Sequence, residues 1–282
     1  MKLWITGAGG LLGEALKQYC KDKKISYLST ARADLDVTDC DQASRFIDDN
    51  SPTHIINCAA YTAVDRAETE RDKAYAVNAA GPANLAELAK KRLLPLIHIS
   101  TNYVFNGKRS APQNETDPCD PLNVYGASKL EGERRVLDCY PEACVIRTSW
   151  LFGRGGKNFI SSLYETLKKE RVIRACHDQW GRATYSRDLA EAILVLLDKS
   201  GIYHFANHGA ISRYQAACDI RAEAEKRGIP LACEEILPVP SSEFTLPAAR
   251  PDSAILATDK IEELIKIRPW KTVLGEYLDA IK

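Results

Sequence analysis

The sequence opens with the stretch Lys2-Leu-Trp-Ile-Thr-Gly-Ala-Gly-Gly-Leu-Leu-Gly13, in which a short apolar run passes directly into a glycine-rich loop. The apolar run predicts a β-strand, and the pattern that continues through Tyr19 predicts a helix directly after the loop. Gly7, Gly10 and Gly13 recur at every third residue. Small residues at such a junction permit a tight turn and bring a pyrophosphate close to the helix N-terminus. The spacing is one residue off the commonest dinucleotide-binding pattern, but its place between a strand and a helix favours a nucleotide cofactor over an ordinary turn.

Strand-like and helix-like segments alternate along the chain beyond this loop. Apolar runs at residues 25–29, 54–58, 94–100 and 144–148 predict further strands, and helical patterns lie between them at residues 41–50 and 71–92 and in the region that contains Tyr125. Helical connections of this length indicate an α/β fold, a Rossmann-type doubly wound parallel sheet with helices on both faces.

The rhythm of the sequence loosens after residue 150. Helical patterns at about 158–170, 187–199 and 212–227 are separated by short strands, and a proline-rich segment leads to a last helix. We therefore expect an NAD(P)-binding Rossmann domain over residues 1–150. Residues 151–282 are expected to form a smaller C-terminal α/β lobe, partly interwoven with the first domain.

The composition excludes several classes of protein. The 282 residues include 38 basic and 38 acidic side chains, a balance that does not suggest a surface for nucleic acid or membranes. The 9 cysteines form no C-x-x-C pair, so we expect reduced thiols in a cytoplasm and no metal cluster. A strand is predicted within two residues of the N-terminus, so we expect no signal peptide, and the longest apolar run, 192–197, is too short to span a bilayer.

Tyr125 and Lys129 lie four residues apart in a predicted helix that Asn123 would cap. This spacing places the phenol and the ammonium on one helix face. An ordinary tyrosine has a pKa near ~10, and a fixed neighbouring cation would lower that pKa by stabilising the phenolate. The pair therefore favours proton exchange with a carbonyl or alcohol oxygen, although the same spacing also arises by chance on many helices.

The stretch Ile99-Ser-Thr-Asn-Tyr-Val-Phe105 ends the fourth predicted strand with two hydroxyl side chains. Ligands of open parallel sheets gather at the carboxyl ends of the strands. We therefore expect Ser100 or Thr101 to lie near Tyr125 and to reach the same substrate oxygen.

Arg32 follows the second predicted strand, and no carboxylate appears before Asp34. An acidic residue at this position would bind a ribose 2′-hydroxyl, whereas an arginine accommodates a 2′-phosphate. Arg32 therefore favours NADPH over NADH, with NADH kept as an alternative.

In this order and at these intervals, the glycine loop, the Ser-Thr pair and the Tyr-x-x-x-Lys motif resemble the extended short-chain dehydrogenases/reductases. Within that family the chain resembles the subgroup that completes dTDP-L-rhamnose synthesis by NAD(P)H-dependent reduction of the 4-keto group of dTDP-4-dehydro-L-rhamnose. The motifs that carry the narrower resemblance run nearly end to end: Leu35-Asp-Val-Thr-Asp39, Asn57-Cys-Ala-Ala60, Ala60-Tyr-Thr-Ala-Val-Asp-Arg-Ala-Glu68, Val77-Asn78, Pro121-Leu-Asn-Val-Tyr-Gly126, Arg147-Thr-Ser-Trp-Leu-Phe152, Asp178-Gln-Trp-Gly181 and Arg250-Pro251.

The resemblance implies a catalytic set made of Thr101, Tyr125 and Lys129. The expected cofactor-binding residues, including the glycines and the arginine argued above, are Gly7, Gly10, Leu11, Leu12, Gly13, Arg32, Asp36, Val37, Ala59, Ala60, Tyr61, Thr62, Asn78, Ile99, Tyr125 and Lys129. The expected sugar-nucleotide-binding residues are Val64, Thr101, Asn102, Tyr103, Trp150 and Arg250, with residues 151–282 as the sugar-nucleotide-binding lobe. No metal ligand is expected.

By this resemblance, nicotinamide supplies hydride to the carbonyl carbon, Tyr125 protonates the oxygen, and Thr101 orients it. Asn102 stands where the family usually has an aspartate, which leaves the pH optimum and the sugar preference open. Two alternatives remain: a sugar-nucleotide epimerase or dehydratase of the same superfamily, and a non-catalytic cofactor-binding subunit like the partner of methionine adenosyltransferase. The sequence leaves the oligomeric state open, a homodimer included.

Overall fold

The computed structural model describes residues 1–109 and 111–281. Its strands are β1 (Lys2–Thr6), β2 (Ser26–Thr30), β3 (His54–Asn57), β4 (Leu96–Thr101), β5 (Cys144–Thr148), β6 (Leu151–Phe152), β7 (Val172–Cys176), β8 (Trp180–Arg182), β9 (Thr184–Tyr185), β10 (Gly201–Phe205), β11 (Ala210–Ser212) and β12 (Glu235–Val239). Its α-helices are α1 (Leu11–Asp22), α2 (Cys40–Asn50), α3 (Val64–Ala67), α4 (Arg71–Tyr75), α5 (Gly81–Arg92), α6 (Val124–Cys139), α7 (Phe159–Lys169), α8 (Ser186–Val195), α9 (Arg213–Lys226), α10 (Asp259–Glu262) and α11 (Trp270–Ala280).

Six parallel strands form the central sheet, in the order β10-β5-β4-β3-β1-β2. The predicted parallel, doubly wound sheet is thus confirmed, and the strands predicted at 54–58, 94–100 and 144–148 appear as β3, β4 and β5. Helices α4 and α5 are joined by one π-helical segment, Ala76–Ala80, so the predicted helical region at 71–92 is helical throughout.

Alternate residues of each central strand point to opposite faces of the sheet, which explains why the strands are apolar almost throughout. Ile56 and Ile97 pack on one face with α1 and α8, whereas Ile55 and Leu96 pack on the other with α2 and α5. All four side chains are at most 2% exposed. Burial of a side chain of this size contributes about 1.5–3 kcal/mol, so these two apolar layers fix the sheet on which the cleft is built.

The second half of the chain returns to this sheet through β10, which pairs with β5 from Gly201↔Cys144 to Phe205↔Thr148. A separate apolar cluster lies beyond it, formed mainly by α7, α9 and α11 around Phe152 and Trp270. The boundary at residue 150 stays a prediction, and β10 specifies how the second lobe is interwoven with the first. Within the described residues, the structure contains no helix long and apolar enough to cross a membrane.

Candidate active site

A cleft of about 840 Å³ lies at the carboxyl ends of the central strands. It brings together the glycine loop, the ends of β3, β4 and β5, the start of α6 and the loop before α7. All but two of the predicted site residues line it; Asn78 and Arg250 are the exceptions. The lining comprises Gly7, Gly9, Gly10, Leu11, Leu12, Gly13, Ala31, Arg32, Leu35, Asp36, Val37, Cys58, Ala59, Ala60, Tyr61, Thr62, Val64, Val77, Ile99, Ser100, Thr101, Asn102, Tyr103, Tyr125, Lys129, Thr148, Ser149, Trp150, Leu151, Gly156, Lys157, Asn158, Phe159 and Arg213.

The glycine loop has no space for side chains at two of its positions. Gly7 has a φ of +62°, and a Cβ there would lie 2.6 Å from the amide nitrogen of Ala59. A Cβ on Gly13 would lie 2.6 Å from the Cα of Ala8. Gly10 caps α1 without a side-chain acceptor, so the N–H groups of the first helical turn have no side chain to satisfy them. Such a loop is suited to a pyrophosphate.

Arg32 lies at the cleft edge with 68% of its side chain exposed and its Nε 3.9 Å from Oδ2 of Asp36. Asp36 accepts hydrogen bonds from the backbone N–H and the hydroxyl of Thr38, at 2.9 and 2.8 Å. The backbone bond is the main cause that holds the pKa of Asp36 below its ordinary value. Because a separation of 3.9 Å is longer than a hydrogen bond, the guanidinium of Arg32 keeps its donors for a ligand.

Helix α6 is fixed by a cap at its start and by polar contacts with the sheet along its length. Asn123 accepts from the N–H of Gly126 at 2.8 Å, which confirms the predicted cap. Glu133 forms a buried ion pair with Arg147 of β5, at 2.7 Å, and accepts a hydrogen bond from Ser100 of β4. These contacts tie α6 to β4 and β5 and thereby fix the position of Tyr125.

Thr101 and Tyr125 meet at the carboxyl end of β4, as the sequence predicted. Thr101 is buried and its hydroxyl accepts from the N–H of Tyr103 at 3.2 Å. Tyr125 is partly exposed in the cleft wall, with its ring edge-on to Tyr103 at 5.8 Å between centroids. Burial raises the pKa of Tyr125 to about 12, a hydrogen bond with Thr101 opposes this rise, and Tyr103 adds to it.

This value corrects the expectation that Lys129 lowers the pKa of the tyrosine. The ammonium of Lys129 donates to the main-chain carbonyl of Ile99 at 2.6 Å, and the side chain is 1% exposed. Burial lowers the pKa of Lys129 itself to about 8, against the opposing influence of Glu133 and Cys58. Desolvation therefore dominates at both groups, and Tyr125 is a neutral phenol, the form that donates a proton, over the whole neutral range.

The surroundings of Lys129 also fix the tautomer of His98. Asn57 accepts from the N–H of Ala59 through Oδ1, so its Nδ2 is the group that lies 3.0 Å from Nδ1 of His98 and must donate to it. The imidazole therefore carries its proton on Nε2, which lies 3.4 Å from Nζ of Lys129. A protonated lysine would place donor against donor there, so His98 also disfavours the ammonium.

Asn102 is buried and donates through Nδ2 to the main-chain carbonyl of Ala254 at 3.0 Å. Its Oδ1 lies 3.4 Å from the hydroxyl of Thr101. The amide thus connects the end of β4 to the segment before α10. A carboxylate at this position would have no N–H for that carbonyl.

Asn78 lies behind the cleft wall rather than in it. It accepts from the N–H of Tyr61 at 2.8 Å and donates to the carbonyl of the same residue at 3.0 Å and to Ser128 at 3.0 Å. Direct cofactor contact was expected, but this geometry makes Asn78 a residue that positions the Tyr61 backbone.

Arg250 borders a small adjoining pocket and not the main cleft. Its guanidinium binds the carboxylate of Asp65 through two hydrogen bonds, at 2.6 and 2.8 Å. Its charge is therefore neutralised within the protein.

The second-lobe wall of the cleft contains residues that sequence reasoning missed. Trp150 has a φ of +42°, and its ring lies 5.3 Å from that of Phe159. The guanidinium of Arg213 lies over both rings. The Asp178-Gln-Trp-Gly181 motif was an available signal for this wall. Its Gln179 accepts a hydrogen bond from Nε of Arg213 at 3.0 Å, and a Cβ on its Gly181 would lie 2.8 Å from the Trp150 ring.

Among the described residues, no group of three or more His, Cys, Asp or Glu side chains could hold a metal ion.

Comparisons with known proteins identify the family of this chain. The sequence profile of the RmlD substrate binding domain family matches residues 1–282. A dTDP-4-dehydrorhamnose reductase of Aggregatibacter actinomycetemcomitans is 37% identical over 284 residues, covering 97% of each chain. A solved dTDP-4-dehydrorhamnose reductase from Clostridium acetobutylicum ATCC 824 is 36% identical with a TM-score of 0.92, covering 100% of this chain and 99% of that one.

A second solved structure is the dTDP-4-dehydrorhamnose reductase from Bacillus anthracis str. Ames in complex with NADP. It is 34% identical with a TM-score of 0.93 and covers 99% of each chain. Sequence and fold thus agree over nearly the full length, and the resemblance inferred from the motifs is confirmed. This chain belongs to the RmlD substrate binding domain family.

Proposed function

We propose that this protein is an NADPH-dependent reductase that converts dTDP-4-dehydro-L-rhamnose to dTDP-L-rhamnose, the last step of dTDP-rhamnose synthesis. The observation that carries the proposal is the convergence of Thr101 and Tyr125 at the end of β4, in the same cleft as the glycine loop. The names of the relatives described above supply the substrate.

The dinucleotide fits the first half of the cleft. Gly7 and Gly13, where a Cβ would clash with neighbouring backbone, permit the tight turn that brings a pyrophosphate close to the main chain, and the first turn of α1 offers N–H donors. Arg32 is suited to the 2′-phosphate, which favours NADPH with NADH as a weaker alternative. When bound, the cofactor supplies the hydride that reduces the carbonyl carbon.

Tyr125 completes the reduction by giving its phenolic proton to the carbonyl oxygen as negative charge develops there. Its raised pKa of about 12 keeps the phenol protonated until the oxygen becomes basic enough to take the proton. Thr101 orients that oxygen and hydrogen-bonds Tyr125. The phenolate then regains a proton from solvent, so each turnover consumes one hydride and one proton.

The substrate occupies the half of the cleft that lies on the β5 side of β4. In the sheet, β4 lies between β5 and the strands β3 and β1 that flank the glycine loop. Val64, Asn102, Tyr103 and Trp150 line the cleft and are proposed to contact the sugar nucleotide. Trp150 offers a flat apolar surface for the base or the sugar.

We further propose that the protein acts in the cytoplasm, since its 9 cysteines are all free. A homodimer is the proposed assembly, and light scattering coupled to gel filtration measures it. A monomer at micromolar concentration would contradict that assignment.

The direct test is NADPH oxidation in the presence of enzymatically generated dTDP-4-dehydro-L-rhamnose, with Tyr125→Phe as the matched control. We expect turnover by the natural protein and formation of dTDP-L-rhamnose. Cofactor that stays bound on dilution without net oxidation would indicate an epimerase or dehydratase instead. Cofactor binding with no conversion of any 4-keto sugar nucleotide would indicate a non-catalytic subunit.

A further inference from the structure

Arg213 is a cation of the cleft wall. Its Nε donates to Oε1 of Gln179 at 3.0 Å, and within residues 1–109 and 111–281 its guanidinium has no carboxylate partner. By contrast, Arg250 in the adjoining pocket is bound by Asp65 through both of its outer nitrogens. Arg213 therefore keeps N–H donors that are not committed to protein acceptors.

The head group is nevertheless held in place. It lies 4.6 Å from the ring centroid of Phe159 and 5.4 Å from that of Trp150, and these two contacts restrict the position of the guanidinium. Arg213 is the first residue of α9. Ser212 caps this helix, because its hydroxyl accepts a hydrogen bond from the N–H of Gln215 at 3.1 Å. Because the Arg213 side chain is already held in place, it loses little conformational entropy when an anion binds.

The distribution of charge along the cleft assigns this group to the substrate and not to the cofactor. Arg213 and Trp150 lie on the β5 side of β4, whereas the glycine loop follows β1, on the other side. Asp36 is the acidic residue among the described lining residues, and it belongs to the cofactor half. On the β5 side the charged lining residues are therefore cations, namely Arg213 and the exposed Lys157.

We propose that Arg213 binds the diphosphate of the nucleotide-sugar substrate and, with Lys157, sets the preference for a diphosphate-linked sugar over a free one. The inference rests on the proposed function and assigns one part of that substrate to one side chain. A guanidinium presents paired N–H donors that match two phosphate oxygens, and stacking on Trp150 and Phe159 turns that fork into the cleft.

Calorimetric titration of dTDP and of thymidine, each with NADPH saturating, tests the proposal. Arg213→Gln is expected to weaken dTDP binding about ten- to a hundredfold, because charge-assisted hydrogen bonds to phosphate are lost. Thymidine has no phosphate, so its affinity should change less than twofold. Arg213→Lys keeps the charge but not the planar fork and should lie between the two proteins.

Arg154→Gln is the matched control, because Arg154 is an exposed arginine of the neighbouring loop that does not line the cleft. An unchanged NADPH affinity in Arg213→Gln verifies that the variant is folded. The inference is overturned if dTDP binds Arg213→Gln within threefold of the natural protein, or if Arg154→Gln weakens dTDP equally. Should Arg213→Gln fail to fold, Arg213→Lys decides: dTDP affinity equal to that of the natural protein overturns the inference.

Kinetics give an independent readout. Arg213→Gln should raise KM for the 4-keto nucleotide sugar by a similar factor and leave kcat within about threefold, because the diphosphate is bound alike in the ground and transition states. A natural protein that binds no dTDP would contradict the proposed function as a whole. A natural protein that binds dTDP while Arg213→Gln binds it equally would contradict the role of Arg213 alone.

Discussion

Replacement of Lys129 by methionine should change how the stability of the protein depends on pH. Lys129 is 1% exposed, and burial lowers its pKa from the ordinary 10.5 to about 8. The lysine binds its proton more weakly in the folded protein than in the unfolded chain, so its protonation destabilises the folded state. Above pH 10.5 the side chain is neutral in both states and this destabilisation is absent. As the pH falls through 8 the destabilisation becomes complete.

The magnitude follows from the two pKa values. A difference between 10.5 and about 8 corresponds to about 3 kcal/mol of destabilisation at neutral pH, since one pKa unit equals ~1.36 kcal/mol. Most of this, about 2–3 kcal/mol, is recovered between pH 7 and pH 10. Methionine has a similar length and no proton to bind, so Lys129→Met lacks this contribution.

Urea unfolding of both proteins at several pH values between 7 and 10 measures the effect. The free energy of unfolding of the natural protein, minus that of Lys129→Met, should rise by about 2–3 kcal/mol across this range. Tyrosines and cysteines that titrate in the same range are present in both proteins and cancel in the difference. A difference that stays flat within about 0.5 kcal/mol, or that falls with pH, would refute a buried, destabilised ammonium.

Three further substitutions test the site. Tyr125→Phe should lower kcat by about 10²–10⁴ with NADPH affinity unchanged, and steady-state turnover within threefold of the natural protein would remove the phenol from the proton path. Arg32→Asp should shift the ratio of kcat/KM values from NADPH toward NADH, because a carboxylate repels a 2′-phosphate; an unchanged ratio would place Arg32 outside the cofactor site. Asn102→Asp should raise the already elevated pKa of Tyr125 further, so turnover should persist and kcat/KM should show no tyrosine-dependent fall up to pH 10; a fall that appears below pH 10 only in this variant would contradict the expected direction. The same variant should lose about 1–3 kcal/mol of stability in urea unfolding, because a carboxylate cannot donate to the carbonyl of Ala254; unchanged stability would make that hydrogen bond dispensable.

Features of the site that depend on local patterns could be predicted from the sequence. The strand-loop-helix order around Gly7 and Gly13, the cap at Asn123 and the shared helix face of Tyr125 and Lys129 all follow from periodicities and turn residues. The same rules placed Ser100 or Thr101 near Tyr125, because parallel strands present their carboxyl ends at one edge of the sheet, and the family resemblance selected Thr101.

Features that depend on tertiary packing could not be predicted in this way. The spacing of Tyr125 and Lys129 puts them on one face, but the acceptor of the ammonium is the carbonyl of Ile99 on β4, which only the packing of α6 on the sheet determines. Burial therefore raised the tyrosine pKa where a neighbouring charge was expected to lower it. Arg213 was missed for a related reason: it meets Trp150 only after the second lobe has folded back.

The interleaving of β10 with the central sheet has a consequence for synthesis on the ribosome. All five residues of β5 are buried in the finished protein, yet one edge of this strand pairs only with Gly201–Phe205. A nascent chain grows by ~5–20 residues per second, so the roughly 50 residues between the two strands take several seconds to be made. During that interval β5 presents an apolar strand with an open edge, the kind of surface that other chains pair with. Chaperones that bind nascent chains should therefore occupy ribosomes that have passed β5 and leave once β10 has emerged.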